Sequence, residues 1–216
     1  MGRTIRGADS GSRGAAINLI ETPLAGAFVI QPDLRRDERG FFARTFCRET
    51  LREHGIDVDI VQCNLSQNRR RGTLRGMHYQ VPPHAEQKLV CCLRGAAYDV
   101  IVDLRADSQT YGCWHAVELT AANRRTLFIP RGMAHGFQTL TADTELFYQM
   151  GHPYSPQHAR GFCHDDPAIG IEWPLPVRCI SERDQSFGPV LDRQIQYETT
   201  AATHAVAETM ERSYDG

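Results

Sequence analysis

The sequence predicts an all-β fold, an antiparallel sandwich or barrel with a few short helices, on three observations. Short apolar runs rich in β-branched and aromatic residues recur along the chain, turn-forming clusters separate them at regular spacing, and one internal stretch alone has clear helical character. Residues 1–16, MGRTIRGADSGSRGAA, are rich in Gly, Ser and Arg without apolar period, and are expected to form a flexible leader. A single domain is expected over 17–193. Its first strands are GAFVIQP and FFARTF, with RRDERG turning the chain between them. CRETLREHGI reads as a helix covering one end of the sheet, with Leu51 near its middle and Gly55 as the cap. DIVQCNLSQ, TLRGMHYQ, KLVCCLRG, AAYDVIVDLR, CWHAVELT, RTLFIP and ELFYQM follow as strands, divided by VPPHAEQ, ADSQTYG, TAANR and LTADT. In YDVIVDLR, alternation puts Tyr98, Val100, Val102 and Leu104 on one face and Asp99, Ile101 and Asp103 on the other. That second face either lines a polar cavity or meets solvent. Beyond IEWPLP the pattern is loop-like, and 194–216 forms a polar tail of weak helical character.

Composition narrows the function classes. A chain of 216 residues, 41% hydrophobic, can bury one sizeable core. Its formal net charge of -2 argues against nonspecific nucleic-acid binding, although RRRGTLR concentrates four arginines as a solvated loop or an anion site. No window is apolar enough to span a membrane and the N-terminus lacks a signal-peptide core, so a cytoplasmic protein without membrane contact is expected. The seven cysteines lack C-x-x-C spacing, and Cys91 and Cys92 adjoin inside an apolar run, which suggests small core residues in a reducing compartment. Among 23 arginines stands one lysine, Lys88. Arginine cannot usefully lose its proton, whereas lysine is a compact charge of adjustable pKa, so the exception points to a task.

Three stretches can carry chemistry: RGMHYQ followed by QKLV, IPRGMAHGF, and ELFYQM. Together they place two histidines, a lysine and a tyrosine on neighbouring strands. PRGMAHG has the P-x-G-x-x-H spacing, in which Pro and Gly shape a turn that delivers His135 onto a strand. This resembles the second signature of the cupin superfamily. Metal-binding cupins supply an H-x-H pair in the first signature, because a divalent ion needs several converging imidazoles and a carboxylate. Here Gln80 stands where the second histidine would be, which weakens the metal reading.

DERGFF, VQCNLSQ, LRGMHYQ, QKLV, VELTAANRRTLFIPRGMAHGF, ELFYQM and DDPAIGIEWP occur in the order expected of dTDP-4-dehydrorhamnose 3,5-epimerases, a branch of the cupins, over roughly residues 20 to 190. The resemblance implies a cupin-type jelly roll without metal or other cofactor. It also implies a homodimer acting on a nucleotide-linked, dTDP-type 4-keto-6-deoxyhexose. Epimerisation beside a ketone needs a base, an enolate stabiliser and an acid on the opposite face of the ring. By resemblance His78 is the base, Asp184 orients it, Lys88 stabilises the enolate oxygen and Tyr148 returns the proton. His135 contacts the sugar, Arg75 and Arg39 lie near the diphosphate, and Gln62 and Asn64 near the nucleotide, part of whose site comes from the partner subunit. The chain departs from the family at Cys63, Gln87, Gln149 and Arg183, where Asp, Gly, Lys and Lys are common. The expected activity is inversion at C3 and C5 of the dTDP-sugar. Inversion at C3 alone or C5 alone, a metal-dependent cupin using His78 and His135, and a binding protein without turnover are the alternatives.

Overall fold

A computed structural model gives the fold of residues 4–6 and 16–190. The strands are β1 (Thr4–Arg6), β2 (Ile17–Glu21), β3 (Phe28–Pro32), β4 (Arg35–Asp37), β5 (Gly40–Phe42), β6 (Gln62–Asn68) and β7 (Leu74–Gln80). They continue with β8 (Lys88–Arg94), β9 (Ala96–Asp103), β10 (Trp114–Thr120), β11 (Thr126–Ile129), β12 (Met133–Thr139), β13 (Thr144–Met150) and β14 (Ala159–Gly161). Two short helices, α1 (Arg48–Glu53) and α2 (Glu182–Gln185), complete the described chain. None of its helices is long and apolar enough to cross a membrane.

Seven strands form one sheet in the order β1-β2-β3-β11-β8-β13-β6, and five form a second in the order β10-β9-β12-β7-β14. Their facing sides bury Val29, Val90, Leu127 and Leu146 of the first sheet against Ile101, Leu119 and Phe137 of the second. The outer faces are covered as well. Leu51 of α1, with Ile56 and Val58, packs on Leu19, Ile30, Leu89 and Phe128, while Phe162, Ile169 and Trp173 pack near Met77, Val100 and Val102. Gly55, at φ 75°, ends α1, its N–H bonding Arg52 O at 2.9 Å, as its sequence position predicts.

The packing of one sheet on the other decides the fate of Asp99 and Asp103, which share the inner face of β9 with Ile101. Both are fully buried, so the solvent-facing alternative fails. Asp103 lies against the turn that follows β9, where it accepts from Arg105 Nε at 2.8 Å, Ser108 Oγ at 2.6 Å and Thr110 Oγ1 at 2.6 Å. Other expectations need correction. Within the segment read as a leader, Thr4–Arg6 pairs with β2 in antiparallel register. FFARTF is a strand only through Phe42, in an exposed β4–β5 hairpin where the Arg124 guanidinium sits 5.1 Å from the Phe41 ring centre. Cys92 is buried, which pushes its thiol up to about 11, but Cys63, Cys113 and Cys179 are exposed and all seven cysteines are free. The tail 194–216 lies outside the described residues.

Candidate active site

Strict alternation along β7 would put Arg75 and His78, three residues apart, on opposite faces. The structure puts both on one cavity of about 290 Å³. The reason is a bulge: His135 pairs with His78 and Phe137 with Arg75, so β7 carries one residue more than β12 between these points. Gly76, at φ 119°, sits in the bulge, and a Cβ there would lie 2.6 Å from Gly136 Cα. Two glycines let the strands approach while one side chain is re-aimed.

The bulge also supplies a donor. Gly76 N–H bonds Asp184 Oδ2 at 3.1 Å, and the other oxygen of Asp184 meets His78 Nε2 at 2.7 Å. Asp184 is held on α2, whose N-cap Ser181 accepts from the Asp184 N–H at 3.1 Å. Burial alone would raise this carboxyl, but the hydrogen bonds from His78, Gly76 and Ser181 hold it below its ordinary value. A carboxylate on Nε2 fixes the tautomer with its proton there and leaves Nδ1 of His78 free to accept one. On the neighbouring strand, His135 Nε2 lies 3.0 Å from both oxygens of Asp99. Asp99 therefore lines the interior, as one of the two readings of its strand had it.

The opposite wall comes from the seven-stranded sheet. Tyr148 pairs across β13 with Asn64 and with Val90, so these share a face, and Ser66 and Lys88 lie two residues along from them. Asn64, Ser66, Lys88 and Tyr148 all line the cavity. Burial pushes the Tyr148 phenol far up, and the Asp99 carboxylate adds to this, so the group stays neutral. Its ring stands edge-on to His135, with centroids 6.0 Å apart. Lys88 is buried and paired with Glu86 Oε1 at 2.7 Å. Among the described residues Glu86 Oε2 has no hydrogen-bond partner, which costs about 1–3 kcal/mol for a neutral group and more for a charged one.

Of the nine expected site residues, Arg75, His78, Lys88, His135, Tyr148 and Asn64 line the cavity, and Asp184 stands directly behind His78. Arg75 Nε donates to Asn68 Oδ1 at 2.8 Å, which leaves its two Nη groups for an anion. Gln62 stands at the rim, where it accepts from Tyr154 N–H at 3.0 Å and donates to Asn64 at 3.1 Å. Arg39 is not brought to this cavity: it lies 84% exposed on the hairpin, paired with Asp37. Gln80 is spent on the loops, donating to His84 O at 2.9 Å and accepting from Ser155 N–H at 2.6 Å.

Sequence reasoning passed over Glu86, Ser66, Asn68, Tyr154 and Arg160. Glu86 had a signal, an acid two residues before the only lysine. The others are ordinary polar residues gathered by strand register and, for Tyr154, by the loop between β13 and β14. Arg183, one of the departures, also lines the cavity, with its guanidinium 5.8 Å from the Phe187 ring centre.

The family model for dTDP-4-dehydrorhamnose 3,5-epimerase matches residues 21–192. A dTDP-4-dehydrorhamnose 3,5-epimerase of Sinorhizobium fredii is 43% identical over 176 residues, 81% of this chain and 90% of that protein. The crystal structure of dTDP-4-dehydrorhamnose 3,5-epimerase from Elizabethkingia anophelis superposes with a TM-score of 0.80 at 35% identity, covering 82% of this chain and 98% of that one. A 3′-monoepimerase of Streptomyces bikiniensis, solved in complex with dTDP-quinovose, superposes with a TM-score of 0.72 at 32% identity, covering 78% and 85%. These likenesses agree with the jelly-roll sandwich and extend through nearly all of the described residues. The chain therefore belongs to the dTDP-4-dehydrorhamnose 3,5-epimerase family.

Proposed function

We propose that this chain is an isomerase that inverts C3 and C5 of a dTDP-linked 4-keto-6-deoxyhexose in rhamnose biosynthesis, by proton transfer through an enolate and without metal or other cofactor. The observation that carries the reading is the placement of a carboxylate-backed imidazole and a neutral phenol on opposite walls of one cavity. Nδ1 of His78 takes the proton from the carbon beside the ketone, and Asp184 stabilises the imidazolium that results. Charge then develops on the ketone oxygen, where the Lys88 ammonium meets it. Tyr148 gives its proton to the far face of the carbon, which inverts it; before the second carbon reacts, the His78 imidazolium loses its proton to solvent and the phenolate regains one from solvent. Arg75 binds the diphosphate, His135, held by Asp99, contacts the sugar, and Asn64 and Gln62 face the nucleotide. The working unit is a homodimer in the cytoplasm, with Arg39 serving the partner's nucleotide site.

Inversion at a single carbon is the second reading, favoured by the likeness to the 3′-monoepimerase. A metal-dependent reading has less support, since His78 and His135 each spend Nε2 on an aspartate. Incubating dTDP-4-keto-6-deoxyglucose with the protein in D2O and following the ring protons by NMR tests all of these. Deuterium at C3 and C5, undiminished by chelator, is expected. Deuterium at one carbon selects the single-position reading, and none at either defeats both.

A further inference from the structure

Glu86 stands two residues before Lys88, and both side chains border the cavity. One oxygen of Glu86 holds Lys88 Nζ at 2.7 Å, and both side chains are more than nine-tenths buried. The other oxygen, Oε2, is the only buried side-chain polar atom among the described residues that lacks a hydrogen-bond partner. A closed structural ion pair would use both oxygens. This one leaves a buried charged acceptor without a partner, on a side chain that borders the binding cavity and beside the cation that faces the ketone.

The sugar of the proposed reaction supplies what is missing. Its ketone is at C4, and of the two carbons beside it only C3 carries a hydroxyl. That α-hydroxyketone presents an acceptor, the ketone oxygen, and a donor, the hydroxyl, on adjacent carbons and about 3 Å apart, the spacing of a hydrogen-bonded pair. Lys88 Nζ and the second oxygen of the carboxylate that holds it present the complementary donor and acceptor within one ion pair.

We propose that Lys88 and Glu86 together read the α-hydroxyketone, Nζ donating to the ketone oxygen while Glu86 Oε2 accepts from the C3 hydroxyl. On this reading, which rests on the epimerase function above, Glu86 positions Lys88 and also selects sugars that carry a hydroxyl beside the ketone.

The test compares deuterium incorporation at C5 into dTDP-4-keto-6-deoxyglucose and into its 3-deoxy analogue, which keeps the reacting C5 but lacks the hydroxyl. For the wild type, the analogue should have a kcat/KM lower by about 10- to 100-fold, the range of one hydrogen bond to a charged group. In Glu86→Leu the ratio between the two sugars should fall towards one, and both rates should drop because Lys88 loses its anchor. Glu86→Gln keeps the shape and can still accept from Nζ, so it should retain most of the exchange while narrowing the ratio. It also decides the matter alone should Glu86→Leu not fold. A ratio unchanged from wild type in the folded variants overturns the inference and leaves Glu86 a structural anchor. Exchange absent from the wild type overturns the epimerase reading, and this inference with it.

Discussion

In the proposed reaction His78 and Tyr148 act from opposite walls, and their variants should separate its halves. His78→Asn keeps the size of the side chain but removes the base, and should cut deuterium incorporation by about 10²-fold or more. Tyr148→Phe leaves abstraction intact, so exchange into recovered substrate should persist while net inversion falls by a comparable factor. Equal loss of both would mean that Tyr148 does not return the proton. Asp184→Asn should resemble the base variant, since an amide neither fixes the tautomer nor stabilises imidazolium. Asp103 makes a stability prediction. Burial opposes its charge, but Arg105, Ser108 and Thr110 hold its carboxyl below the ordinary 3.8. A carboxyl depressed in the folded state contributes stability that is complete above its unfolded value and lost as pH falls through the folded one. Asp103→Asn should therefore cost about 3 kcal/mol at neutral pH, and the gap from wild type should close below pH 3.8, as measured by denaturant titration across pH.

The element that makes the site is β7 with its bulge. Gly136 faces it from β12, where an added Cβ would lie 2.6 Å from Met77 Sδ and 2.9 Å from Arg75 O. Gly136→Ala should cost about 1–3 kcal/mol by overpacking. It should also lower C5 exchange by shifting His78 against Asp184, whereas unchanged activity would show that the bulge tolerates strain. LRGMHYQ announces a strand but not this kink, because a bulge is a property of two strands in register and Gly136 lies far along the chain from Gly76. β12 was legible from the P-x-G-x-x-H turn that delivers His135 onto it, but not from periodicity, since its seven buried residues include His135, Gly136 and Gln138 and so break the apolar run by which a strand is read. The same limit explains α2, a single turn whose only announcement is Ser181 ahead of Asp184 in SERDQ. By contrast, α1 was legible throughout, since Leu51 and Gly55 do locally what the sequence says they do.

At the scale of the molecule, Arg39 stands away from the cavity, on a hairpin whose Phe42 is 68% exposed. On the edge strand β6, Leu65 is 61% exposed. Apolar groups of this size at a sheet edge favour burial against a second copy. Were Arg39 to serve the partner's site, Arg39→Ala and His78→Asn subunits should complement one another. A re-equilibrated equal mixture holds one fully intact site among each four in a two-fold dimer, and should recover about a quarter of wild-type activity. No recovery, with mixed dimers confirmed by mass, would place Arg39 outside the site. The sequence by itself determined the all-β class, the family, and most of the polar groups around the cavity, because strand periodicity and motif spacing are local quantities. Only the tertiary structure decided that Arg75 and His78 share a face, that Asp99 lies inside behind His135, and that Glu86 leaves one oxygen vacant beside Lys88. Each of those depends on which strands pair, in what register, and on how the two sheets face one another, and those are interactions between residues far apart in the chain.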